Sequence, residues 1–339
     1  MAGLALLAAR ASRAAEDPKP DAKPPTGIQL TFDRPLDASM APFVVAASRG
    51  LFAAERLSVA THVASGSADA IARIASGASD LALADINELV RFRDKADAPP
   101  VKAVFMLFNQ APYAIVARKS RGIHTLPDIE GKTLGVSEND LSIRLWPALA
   151  RQNHLKPAGV KFYRIGAAVR EPILSAGQVD AVSGFSYLSA VNLRDRGVPA
   201  DDLAVLRYAD YGCEAYGVAI IVNPAFAAEK PEAVKGFLRA LVKGLKDTIK
   251  DPSTAVDSVI KRNDVAKKPV ELERLRMALK DNILTDEVKA NGFGGVDTER
   301  LTKSIDQIAL TYEFKNGRPK APDIFDSSFL PSESSRKAD

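Results

Sequence analysis

Cysteine is almost absent: Cys213 stands alone in 339 residues, so no disulfide can form within the chain. Histidine is nearly as scarce. His62, His124 and His154 lie far apart, with no i,i+3 or i,i+4 partner, and this spacing offers no clustered set of metal ligands. No metal and no cofactor is therefore expected. No segment has the roughly 20 continuous apolar residues that a spanning helix needs. Neither sign of charge dominates. The 46 basic and 42 acidic residues are interspersed, for a net charge of +4, and there is no basic block or basic-aromatic stripe to suggest a nucleic-acid partner. G-x-S-x-G, the P-loop and a G-x-G-x-x-G after a strand are also missing. No strong catalytic signal is left, and the chain reads as a non-enzyme.

What is present is an ordinary globular composition, 46% hydrophobic and 26% charged, on a chain too long for one typical core, so two domains are expected. The opening "MAGLALLAARASRAAEDPKPDAKPP" has a short apolar run, Ala2–Ala9, then the A-x-A-like sites Ala9-Arg10-Ala11 and Ser12-Arg13-Ala14, then a Pro-rich stretch to Pro25. Residues 1–26 read as a signal-like segment and leader. That pattern implies export to the periplasm, with a tether to the membrane before processing and a mature start near Ala15.

Beyond the leader, short apolar runs alternate with helical patterns. "IQLTF", "SVATHV", "LALA", "KAVFML", "AIVAR", "KTLGVS", "VKFYRI", "DAVSGF", "LAVLRY" and "VAIIV" read as strands, several of them buried on both faces. "SADAIARIASG" puts Ala70, Ile71, Ile74 and Ala75 on one stripe and stops at Gly77. The alternation predicts an α/β fold with largely parallel sheets. From Pro224 the pattern becomes helical. "KPEAVKGFLRALVKGLKDTIK" carries Pro231 in its first turn and an apolar stripe from Val234 to Ile249. Residues 332–339 form a polar tail that reads as frayed.

Polar loops follow the carboxyl ends of the strand candidates, where ligands sit in open α/β sheets. They contribute the candidate binding residues Asp37, Ser39 and Met40, then Ser65, Gly66 and Ser67, then Asp85. Further along they contribute Asn139 and Asp140, and Phe185 and Tyr187. In "SGSADAI" a Gly-Ser turn opens a helix and presents backbone N–H groups, which suits an anion or a carbonyl oxygen. The last loop, "RYADYGCEAYG", crowds Tyr211, Glu214, Tyr216 and Cys213 between two apolar runs. Cys213 could serve as a nucleophile only with a His close in space. A lone Cys otherwise packs as a small hydrophobe.

The stretch from Pro35 to Asp85 resembles the solute-binding proteins of bacterial ABC importers in the thiamin-precursor, sulfonate and nitrate group. The resemblance rests on Ala47, Gly50, Leu51, Phe52, Leu57 and Val59, then on Ser65, Gly66, Ser67, Ile71, Ile74, Gly77 and Asp80. "LPDIEGKTLGVS" is similar to their strand entry and residues 223–261 to their carboxyl-terminal helices. The similarity covers residues 27–331. It implies a type II periplasmic binding protein: two α/β lobes with mixed sheets, a two-crossing hinge and a helical carboxyl-terminal part. Lobe one would comprise residues 27–114 plus 215–331, and lobe two residues 115–214.

The resemblance further implies a monomer, a small-molecule ligand in the cleft and a membrane permease as partner, with Tyr211, Glu214 and Tyr216 facing the cleft. Asp37, Asp85, Glu138, Asp140 and Glu214 would make that cleft negative and favour an aromatic nitrogen heterocycle, such as a pyrimidine thiamin precursor. Arg34 and Arg144 leave a sulfonate, nitrate or other small anion as an alternative. Some relatives of that group are pyrimidine-precursor biosynthetic enzymes with a Cys-rich loop, and Gly212-Cys213-Glu214 offers one Cys in its place. A regulator's effector domain shares the fold, but no helix-turn-helix pattern flanks the lobes.

Overall fold

The computed structural model describes residues 24–137 and 140–338. The leader up to Lys23, the pair Glu138 and Asn139, and Asp339 lie outside the described residues. Among the described residues ten strands form two five-stranded sheets. The first contains β1 (Thr26–Phe32), β2 (Leu57–Val63), β3 (Leu81–Asp85), β4 (Lys102–Met106) and β10 (Val218–Val222), in the order β2-β1-β3-β10-β4. The second contains β5 (Tyr113–Arg118), β6 (Thr133–Val136), β7 (Lys161–Arg164), β8 (Ala181–Phe185) and β9 (Leu203–Arg207), in the order β7-β6-β8-β5-β9.

The two sheets repeat one plan. β1 pairs parallel with β2 and β3, and β6 pairs parallel with β7 and β8. The fourth strand of each runs antiparallel to both its neighbours: β10 against β3 and β4, β5 against β8 and β9. These are the strands that enter a sheet directly after the chain has crossed from the other one, so they arrive pointing the opposite way. The sheets are thus mixed, less uniformly parallel than the strand-helix alternation predicts. The chain passes between the sheets twice, at residues 107–112 and 208–217.

The strand sequences explain the layering. Along β10, Val218, Ile220 and Val222 enter one apolar cluster while Ala219 and Ile221 enter another. β3 divides the same way, with Leu81 and Leu83 on one face and Ala82 and Ala84 on the other. Period-two alternation here sends side chains into two cores, so both faces are apolar. Full burial of a side chain such as Ile220 or Leu83 stabilises by roughly 1.5–3 kcal/mol. A third cluster, with Val116, Val182, Leu174 and Leu193, backs the second sheet. The edge strands β2 and β7 are largely exposed.

The helix Pro231–Lys250 buries Val234, Phe237, Leu238, Leu241, Val242 and Leu245. It lies so close to the helix Ala41–Ser48 that a Cβ on Gly244 would sit 2.4 Å from the Pro42 carbonyl oxygen. The tail is held in place: Phe293 N–H donates to the Arg336 carbonyl (2.8 Å) and Arg336 Nη1 donates to the Phe293 carbonyl (2.7 Å). The polar composition that suggests fraying conceals this main-chain bond and the side-chain bond beside it. Among the described residues no helix is long and apolar enough to cross a membrane.

Candidate functional site

Loops at the carboxyl ends of the three parallel strands of each sheet meet around one cavity of about 400 Å³. From the first sheet come Asp33 and Arg34 after β1, Ser65 to Asp69 after β2, and Glu88 after β3. From the second come Ser137, Asp140, Leu141 and Arg144 after β6, Arg170 after β7, and Gly184, Phe185 and Leu188 at and beyond the end of β8. The position is the one the α/β topology dictates, because only at that edge do the parallel strands deliver their loops side by side.

Arg34 is built in from behind. Its Nη1 donates to Asp33 Oδ1 (2.7 Å), its Nε to Asp37 Oδ2 (3.4 Å) and its Nη2 to Ser39 Oγ (3.3 Å). Ser39 Oγ also lies 3.4 Å from the Tyr187 hydroxyl. Burial would lower the Arg34 pKa, but Asp33, Tyr187 and Asp37 outweigh it and hold the guanidinium above its ordinary value, charged at every accessible pH. Its charge stands 5.7 Å over the Phe185 ring, a cation–π contact that spans the two halves. Burial also raises the Tyr187 hydroxyl, against the opposing pull of Arg34.

The next wall is the start of the helix Ser67–Ala75. Its N-cap is Gly66, which brings no side chain to the first-turn N–H groups, so those donors face the loop edge unoccupied by a cap. Ser67 Oγ donates to Asp33 Oδ2 (2.8 Å) and accepts from the Asp85 N–H (3.0 Å). Asp69 turns back to accept from the Ser65 N–H (2.9 Å), and this bond and Arg73 hold its carboxyl below the usual range.

On the opposite wall Asp140 caps the helix Leu141–Gln152, accepting from the Ser142 N–H (3.0 Å), and it also accepts from the Ser183 hydroxyl. Arg170 Nη1 donates to the Ser183 carbonyl (2.8 Å) and lies 3.7 Å from Asp140 Oδ2. Arg170 packs flat on Gly184, where a Cβ would come within 2.6 Å of Nη1. Arg144 Nη1 pairs with Glu88 Oε2 across the halves. Each of the three guanidiniums therefore has a carboxylate beside it. Among the described residues, the lining carboxylates are Asp33, Asp69, Glu88 and Asp140 and the lining guanidiniums Arg34, Arg144 and Arg170, with Asp69 paired to Arg73 beside the cavity.

Of the residues singled out in the sequence, Ser65, Gly66, Ser67, Asp140 and Phe185 line this cavity. Asp37, Ser39 and Tyr187 stand behind Arg34 and act on the cavity through it. Met40 is fully buried in the apolar core. Asp85 is buried as the N-cap of the helix Ile86–Phe92 and accepts from the Tyr113 hydroxyl (2.5 Å). Asn139 and Glu138 lie outside the described residues. Tyr211, Glu214 and Tyr216 are not brought to the cavity. The Tyr211 carbonyl accepts from Asn153, Glu214 is exposed beside Arg300 (3.7 Å), and the buried Tyr216 donates its hydroxyl to Glu287 (2.8 Å). Cys213 is buried, and burial pushes its thiol up to about 11.

Sequence reasoning missed Asp33, Glu88, Arg170 and Gly184. Arg170 follows a strand in "GAAVR" and Gly184 precedes Phe185 in "SGF", so strand-end position is the signal that could have found both. Among the described residues no group of three or more His, Cys, Asp and Glu side chains is placed to hold a metal ion.

The architecture is that of the periplasmic binding proteins. The aliphatic sulphonate-binding protein SsuA of Escherichia coli superposes with a TM-score of 0.72 at 15% identity, over 91% of this chain and 94% of that one. The alkanesulfonate-binding SsuA of Xanthomonas axonopodis pv. citri bound to MOPS gives 0.65 at 14% identity, over 90% and 100%. By sequence, the chain is 30% identical to the 4-amino-5-hydroxymethyl-2-methylpyrimidine phosphate synthase of Schizosaccharomyces pombe over 220 residues, 62% of either chain's length. It is 28% identical to the riboflavin-binding protein RibY of Chloroflexus aurantiacus over 244 residues, 71% of this chain and 68% of that one. Residues 37–255 match the family model described as NMT1/THI5 like, and the chain belongs to that family.

Proposed function

We propose that this chain is the extracytoplasmic solute-binding component of an ABC-type importer, and that it captures a nitrogen heterocycle in the cavity between its sheets. The observation that carries the ligand class is the pairing of Arg34, Arg144 and Arg170 with Asp33, Glu88 and Asp140. A sulfonate or nitrate needs a cation whose charge is not already answered, and each of these three guanidiniums is paired. A neutral ring is different. Its N–H groups suit the carboxylates, its acceptors suit the main-chain donors at the start of the helix Ser67–Ala75, and its face suits Phe185 and Leu188. Two relatives carry nitrogen heterocycles in their names, a pyrimidine and riboflavin.

The lobes we assign are residues 27–114 with 215–331, and 115–214, closing about the two crossings on a ligand that touches both. A monomer, delivery to a membrane permease and export by the leader complete the reading. The synthase relatives favour a second reading, in which the cavity performs chemistry on a pyrimidine. Against it, the described lining residues include no His, Lys, Cys or Tyr, which leaves proton transfer to serine hydroxyls and to carboxylates already paired with arginines. The test is calorimetric titration with 4-amino-5-hydroxymethyl-2-methylpyrimidine, riboflavin and an alkanesulfonate, followed by mass spectrometry of the recovered ligand. A heterocycle bound and returned intact supports the carrier. A sulfonate as best ligand sinks the heterocycle assignment, and a transformed ligand sinks the carrier.

A further inference from the structure

Arg300, in the helix Thr298–Ala309, grips both crossings at once. On the outgoing crossing its Nη2 donates to the Asn109 carbonyl (2.9 Å) and to Gln110 Oε1 (3.2 Å), and its Nη1 to Asn109 Oδ1 (3.1 Å). On the returning crossing its Nε donates to the Glu214 carbonyl (3.1 Å), and Nη2 lies 3.5 Å from the Ala215 carbonyl. Nη1 also meets Glu287 Oε2 at 2.8 Å, and the guanidinium lies 4.0 Å over the Tyr216 ring. Glu287 and Tyr216 are themselves joined, and the Tyr216 hydroxyl accepts from the Asp297 N–H at 2.8 Å. Only 15% of the Arg300 side chain is exposed.

These contacts use the planar fork of a guanidinium. Donors leave it on three nitrogens in one plane while its face stacks on an aromatic ring. A lysine ammonium cannot reproduce that set. The backbone of the two crossings is what any change of angle between the sheets must bend, and Arg300 ties the carbonyls of both to one helix. None of the groups in this knot lines the cavity.

We propose that Arg300 is a positioning residue for ligand capture. It fixes the angle between the two halves, and so the fraction of molecules whose cavity walls stand at binding distance, without touching the ligand. The inference rests on the reading that the cavity captures a ligand between the two halves. Its first test needs no ligand. Nitroxide labels at Ser58→Cys on β2 and Lys161→Cys on β7, both exposed positions, in a Cys213→Ala background, report the distance between the halves by pulsed electron resonance. The parent should give one narrow distribution. Arg300→Gln and Arg300→Lys should broaden it and displace its mean. Affinity for 4-amino-5-hydroxymethyl-2-methylpyrimidine should weaken by about three- to tenfold, as the competent angle becomes less populated.

Should Arg300→Gln fail to fold, Arg300→Lys and Asn109→Ala each remove part of the knot and are read the same way. An unchanged distribution in folded variants overturns the proposal, and so does failure of all three to unfold cooperatively, which would make Arg300 a stability residue. A changed distribution in a protein that binds no pyrimidine overturns the ligand reading and leaves the hinge role standing.

Discussion

Arg144 on the helix Leu141–Gln152 and Glu88 on the helix Ile86–Phe92 form an ion pair that joins the two halves inside the cavity wall. Each answers the other's charge, so neither is free for a charged ligand. Glu88→Gln releases the cation and leaves the side chain's shape. We expect alkanesulfonate affinity to rise by about five- to thirtyfold, the scale of one charge-assisted bond. Calorimetry of both proteins checks it, and no gain in sulfonate affinity would contradict the charge balance argued here.

Asp85 carries a pH dependence of known sign. Burial, opposed by bonds from Tyr113 and Asn87, pushes its carboxyl up to about 6 from 3.8. The folded protein therefore holds this proton where the unfolded chain has released it. The contribution of this group to stability is greatest below the unfolded value, falls as pH rises between the two and is lost above about pH 6. Asp85→Asn buries no charge and keeps one oxygen as acceptor for the Asn87 N–H, while its amide nitrogen meets the Tyr113 hydroxyl as a donor. In chemical denaturation from about pH 4 to about pH 7, the stability of the parent minus that of the variant should fall as pH rises.

Gly244 tests the packing of the helical layer. A Cβ there would lie 2.4 Å from the Pro42 carbonyl oxygen and 3.0 Å from Ala46 Cβ. The obstacle is backbone, which cannot rotate aside. Gly244→Ala should cost about 1–3 kcal/mol despite the better helix propensity of alanine. A midpoint of denaturation equal to or above the parent's would show that the two helices can separate cheaply.

Glu214 should be silent in binding. It lies exposed at the returning crossing, and its carboxylate is 3.7 Å from Arg300. Glu214→Gln should leave heterocycle affinity within about twofold, as expected of a partly exposed pair. A larger loss would place Glu214 on the ligand.

The contrast between Glu214 and Ser67 shows what the sequence made legible. Ser65, Gly66, Ser67, Asp140 and Phe185 stand at or within a few residues of strand ends, and local order alone carries strand ends to the cavity. The α/β layering is legible for the same reason, since runs such as "LALA" and "VAIIV" are apolar on both faces, whereas the division into two lobes rests on the family resemblance. The side of a crossing that faces the cavity is set by distant residues. Tyr216 turns toward Glu287, and Arg300 lies 84 residues beyond it. Asp37 and Ser39 have the right chemistry at one remove, because Arg34 reaches back to them. No local pattern encodes such a second layer.

The measurement that bears most directly on the central claim is a titration of the purified full chain with 4-amino-5-hydroxymethyl-2-methylpyrimidine and riboflavin beside an alkanesulfonate, with the recovered ligand weighed by mass spectrometry. The account predicts one site per chain for a heterocycle, weak or absent sulfonate binding, and a ligand returned with its mass unchanged. Tight sulfonate binding with no heterocycle binding, or a heterocycle recovered as a different compound, would contradict it.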